Sequence, residues 1–192
     1  MAQGAIENRI SEVLYSEEVI QARVRELGEK IASDYSTGGS ACDAEGRPPM
    51  LICILQGALV FLADLVRQIP TEVEFDFICV ASYGNGTSPG AVRFIKDLER
   101  PIEGRDALLV EDIIDTGHTI RYLMRSFAAR KPASLRVCTL LDKVARRETP
   151  VDIDYTGFVL KQDRFIVGYG MDYAELYRNL PYIAVLKPEY IR

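Results

Sequence analysis

Residues 107–119 read ALLVEDIIDTGHT, an apolar run that ends in Glu111 and Asp112, continues through Asp115, and turns at Thr116, Gly117, His118 and Thr119. Like charges crowded at the end of a buried segment repel one another, so folding alone gives no reason to gather them. Function does. A strand that ends in acids and feeds a Gly-containing turn is the layout of a ligand site in an open α/β sheet. The turn offers backbone N–H groups and hydroxyls at a helix start, which suits a phosphate. The acids beside it suit sugar hydroxyls, a metal ion or a developing positive charge. A phosphorylated sugar meets all of these demands. The structural alternative is that Asp115 or Thr116 merely caps a helix while Glu111 and Asp112 are solvated.

The elements that must position these groups follow from the hydrophobic pattern. Ser16 before Glu17 and Glu18 reads as a helix start, and Ile20, Val24, Leu27 and Ile31 repeat at helical spacing. A Gly-, Ser- and Pro-rich stretch over 36–49 is a loop, and 50–55 is a short, fully apolar strand. A helix is expected over 59–69, stopped by Pro70. Strands are expected over 73–83 and 92–98, with a Gly-rich tract between them. The motif itself supplies a strand over 107–112 and a helix over 119–129 with Ile120, Leu123, Met124 and Phe127 on one face. Further strands are expected over 135–141, 158–160, 165–169 and 182–186. Strands alternating with helices predict an α/β protein with a parallel, doubly wound sheet. No repeat or linker divides the chain, so residues 1–192 read as one domain.

Composition narrows the chemistry. A net charge of −5 gives no bulk basic character for nucleic acid or an anionic membrane. One His and no C-x-x-C pair argue against zinc. Cys53, Cys79 and Cys138 sit in apolar runs and read as small buried hydrophobes. No segment has signal-peptide or membrane-spanning character, so a cytoplasmic protein is expected.

VEDIIDTGHT resembles the phosphoribosyl-pyrophosphate motif of the purine phosphoribosyltransferases, specifically the 6-oxopurine (hypoxanthine-guanine) branch. Matching elements follow in that family's order from about residue 51 to 178. The resemblance implies a type I phosphoribosyltransferase fold, an open parallel sheet flanked by helices, with a small C-terminal hood over roughly 143–192. It implies phosphoribosyl pyrophosphate and a 6-oxopurine base as substrates, Mg²⁺ as cofactor, no nucleic-acid or membrane partner, and a homodimer or homotetramer. Thr116, Gly117, His118 and Thr119 would hold the 5′-phosphate. Glu111 and Asp112 would bind ribose hydroxyls and, with Asp172, the metal.

Asp115 would exchange a proton with purine N7, and Lys143 would donate to the exocyclic 6-oxygen. A fixed ammonium cannot favour a 6-amino group, which gives a basis for discrimination. Phe165 would stack on the purine and Ile166 would meet its edge through the backbone. Gln56 and Gly57 would form the pyrophosphate loop, with a cis peptide between Leu55 and Gln56. Ser82 and Tyr83 would belong to a closing lid, and Arg178 would pair with pyrophosphate oxygens. Gln56 stands where many members have Lys, and His118 where Lys or Arg is common.

Three other readings stay open at this stage. RNA-binding regulators share the phosphoribosyl motif but typically place Tyr at the position of Asp115. A phosphoacceptor receiver domain also clusters acids at strand ends, yet leaves residues 163–173 unexplained. A xanthine-preferring transferase would use the same Lys143.

Overall fold

The computed structural model describes residues 6–36, 43, 45–82 and 92–191. Six strands build the large sheet: β2 (Met50–Leu55), β3 (Glu74–Ser82), β4 (Val92–Lys96), β5 (Asp106–Ile114), β6 (Ser134–Lys143) and β7 (Tyr155–Leu160). Their spatial order is β4-β3-β2-β5-β6-β7, parallel throughout except that β4 runs antiparallel to β3. The α/β class with a mostly parallel sheet is as expected.

Among the described residues, the α-helices α1 (Glu17–Tyr35), α2 (Ala58–Gln68) and α3 (His118–Ala128) flank the sheet. Ser16 caps α1 by accepting from the N–H of Val19, and Ile20, Val24, Leu27 and Ile31 form its buried stripe. Strand alternation divides the core in two. Leu51 and Cys53 face one side of the sheet, with Phe61 and Leu65 of α2 and the stripe of α1. Met50, Ile52 and Ile54 face the other, under Leu123 and Phe127 of α3.

The chain leaves β2 toward one edge of the sheet and leaves β5 toward the other. Between the carboxyl ends of these neighbours lies the switch point at which open α/β sheets bind ligands. Both α2 and α3 begin there.

A second, antiparallel sheet joins β1 (Ile10–Tyr15), β9 (Ile183–Leu186) and β8 (Ile166–Val167) in that spatial order. One expectation is corrected by it. The hood is not a purely C-terminal 143–192 unit, because β1 forms its outer strand and β7 pairs within the large sheet. Strand β1 carries no clean alternation in its sequence, and none of its residues is fully buried. Boundaries shift elsewhere: β5 continues to Ile114, β7 starts at Tyr155, and β8 is confined to Ile166–Val167. Cys53 and Cys138 are buried and Cys79 half-buried, all as free thiols. Among the described residues no helix is long and apolar enough to cross a membrane.

Candidate active site

The turn over 116–119, the expected phosphate site, is held from behind. Gly117 has φ of +89°, a region open to Gly, and a Cβ there would lie 2.5 Å from the Thr149 carbonyl oxygen. Glu148 and Thr149 each donate a backbone N–H to the Thr116 carbonyl at 3.0 Å. Arg147 donates to the carbonyls of Asp115 and Ile114, both at 3.1 Å, and pairs with Asp142. These contacts draw the carbonyls of the turn toward the 147–149 segment. No side chain caps α3, contrary to a simple capping role for Asp115 or Thr116. The first-turn N–H groups therefore keep their anion-binding capacity. His118 is exposed, with Nδ1 3.1 Å from Thr149 Oγ1 and Nε2 2.8 Å from Glu148 Oε2.

Beside the turn opens a cleft of about 190 Å³. Asp112, Asp115 and Lys143 line its sheet side; Phe165, Ile166 and Asp172 line its hood side. Lys143 Nζ lies 3.9 Å from Asp115 Oδ1 and 2.8 Å from Asp163 Oδ1. Asp115 Oδ2 is 3.4 Å from Arg146 Nη1, whereas Asp115 Oδ1 is buried without a hydrogen-bond partner. Phe165 presents an exposed ring braced edge-on by Tyr173, with centroids 5.1 Å apart.

The second wall starts at the cis peptide between Leu55 and Gln56. Gly57 follows in helical conformation and packs so closely that a Cβ there would lie 1.9 Å from Asp112 Oδ2. Gly170 of the hood, at φ +97°, would place a Cβ 2.1 Å from the Gly57 carbonyl oxygen. Arg178 fixes this hood turn by donating to the Gly170 carbonyl at 2.8 Å and pairing with Asp172 at 2.9 Å. Burial, aided by the charge of Asp112, pushes Glu111 well above the usual carboxylate range. Asp112 is pushed up to about 6, mainly by burial and further by Asp172, against the opposing N–H of Ile113 and charge of Arg178.

Most residues singled out in the sequence thus converge at one sheet edge, but not all do. Glu111 does not line the cleft, and among the described residues no three acidic, His or Cys side chains form a protein-only metal cage. Ser82 ends β3, where its backbone pairs with Val92; Tyr83 lies outside the described residues. Ile113, Arg146, Arg164 and Met171 line the cleft without having been anticipated. The cluster of Arg146 and Arg147 just after the Lys143 strand end was the available signal.

A switch-point cleft with an uncapped phosphate turn and acids at its rim defines the class. Residues 17–174 match the phosphoribosyl transferase domain, and the chain belongs to the phosphoribosyltransferase family. It is similar to the hypoxanthine-guanine phosphoribosyltransferase of Bacillus subtilis, 50% identical over 180 residues that cover 93% of this chain and 94% of that one. It is similar, too, to the bifunctional protein TilS/HprT of Listeria innocua, 48% identical over 186 residues covering 96% of this chain. The chain spans only 27% of the length of that relative. A solved hypoxanthine phosphoribosyltransferase from Staphylococcus aureus superposes with a TM-score of 0.87 at 43% identity, covering 96% of both chains.

Proposed function

We propose that this chain catalyses Mg²⁺-dependent transfer of the 5-phosphoribosyl group from phosphoribosyl pyrophosphate to N9 of hypoxanthine or guanine. The products are IMP or GMP and pyrophosphate, a purine-salvage reaction. One observation carries the reading: Asp115 and Lys143 face Phe165 and Ile166 across a single cleft beside the phosphate turn. The bond from the anomeric carbon to pyrophosphate breaks with its electron pair, and a bond to N9 forms. The proton on N7 passes to Asp115, whose buried Oδ1 accepts no hydrogen bond. Lys143 donates to the 6-oxygen, and Phe165 covers the ring face. Negative charge from Asp112 offsets the oxocarbenium-like character of the ribose.

The donor set fits Mg²⁺. Asp112 and Asp172 offer hard oxygens to the same cleft, and the charge of Asp172 raises the cost of ionising Asp112, which a cation would relieve. Asp112 and Asp172 would hold the ion together with substrate oxygens, and it would supply charge neutralisation for the pyrophosphate. Arg178 orients Asp172 in this scheme. The resemblance supports a cytoplasmic homodimer or homotetramer, an assembly that sedimentation equilibrium tests, and the net charge of −5 argues against a nucleic-acid or anionic-membrane partner.

The reaction is tested by incubating the chain with phosphoribosyl pyrophosphate, Mg²⁺ and hypoxanthine and following phosphorus NMR. The expected result is IMP and pyrophosphate in equal amounts. Absence of both overturns the assignment.

A further inference from the structure

Lys143 Nζ has two carboxylates within reach, and the nearer one is not Asp115. Asp163 Oδ1 lies at 2.8 Å and Asp115 Oδ1 at 3.9 Å. The Lys143 side chain is 6% exposed, whereas that of Asp163 is 64% exposed. An ion pair with one partner this open adds little to stability, so folding does not account for it. Asp115 Oδ1 is buried and accepts no hydrogen bond, a costly condition that marks an oxygen kept for a ligand.

We propose that Asp163 is a positioning residue that draws the Lys143 ammonium away from Asp115. It holds Nζ where the 6-oxygen of the base arrives and leaves Asp115 Oδ1 open to the N7 proton. The proposal rests on the roles given to Asp115 and Lys143 above. Its physical core is competition for one buried ammonium. Without Asp163, the nearest carboxylate to Nζ is Asp115, and a short swing closes the 3.9 Å gap. That swing caps the oxygen meant for N7 and removes the donor meant for O6, so chemistry and base choice fail together. The hydrogen bond from Lys143 also holds the Asp163 carboxyl below its usual range, consistent with a persistent pair.

The test compares wild type, Asp163→Asn and Asp163→Glu with hypoxanthine and adenine at saturating phosphoribosyl pyrophosphate and Mg²⁺. Asp163→Asn is expected to lower kcat/KM for hypoxanthine about tenfold, the scale of one misplaced charge-assisted hydrogen bond. It is expected to lower the hypoxanthine-to-adenine preference by a similar factor. The KM for phosphoribosyl pyrophosphate and the melting temperature should hold, and Asp163→Glu should restore most of the loss. A merely structural pair would not shift base preference. Unchanged or improved kcat/KM in Asp163→Asn, with an active wild type, overturns the positioning role alone. A wild type inactive on every base overturns both this role and the transferase reading.

Discussion

Gly57 and Asp112 touch across the switch point, so closely that a Cβ on Gly57 would sit 1.9 Å from Asp112 Oδ2. The Gly57 backbone is ordinary, at φ −58° and ψ −44°, so its lack of a side chain serves proximity rather than conformational freedom. The turn that starts α2 and the acid that ends β5 thereby form one surface. Gly57→Ala should push the carboxylate out of place while leaving the fold intact. Steady-state kinetics should show kcat/KM for phosphoribosyl pyrophosphate reduced at least about tenfold, since misplacement of such a group costs on this scale. Unaltered kinetics would deny Asp112 a part in binding that substrate.

Asp112 makes a pH-dependent contribution to stability. Its carboxyl is pushed up to about 6 in the folded chain, above the unfolded value. The folded state therefore binds the proton more tightly, so the contribution is full below the unfolded pKa and is lost as pH rises through about 6. A shift of this size corresponds to about 2–3 kcal/mol at pH 7. Asp112→Asn, neutral at every pH, should melt about 5 °C higher than wild type at pH 7.5. The gap should close near pH 4. A constant difference in calorimetry across that range would mean that the buried carboxyl is not the cause. The same substitution should impair catalysis, since the proposed function gives ionised Asp112 the ribose and the metal.

Asp115→Asn keeps the shape of the cleft and removes the proposed proton acceptor. Turnover should fall about 100-fold or more, the usual contribution of a positioned general base. Nucleotide affinity by calorimetric titration should change far less. Equal losses in both would refute the role given to Asp115.

The β5 motif was legible because its parts are neighbours in sequence: a buried strand, the acids and the turn are set by residues 107–119 alone. The stripe of α1 was legible for the same reason, with Ser16 marking its start. What escaped the sequence depends on distant segments. Strand β1 is called into the hood by pairing with Ile183–Leu186 at the far end of the chain, and its own exposed pattern announces nothing. The backing of the phosphate turn by Arg147 and Thr149, and the hold of Asp163 on Lys143, likewise arise only when separate strand ends meet at one edge. The resemblance implied a C-terminal hood, and the pairing of β1 with the last strand lay outside what it implied.

The most direct measurement of the central claim is a spectrophotometric assay with hypoxanthine, guanine, xanthine and adenine, each with phosphoribosyl pyrophosphate and Mg²⁺. With Lys143 at the 6-position and Asp115 at N7, hypoxanthine and guanine should turn over well above the other two. Preference for adenine, or turnover of none of the four, would contradict the account.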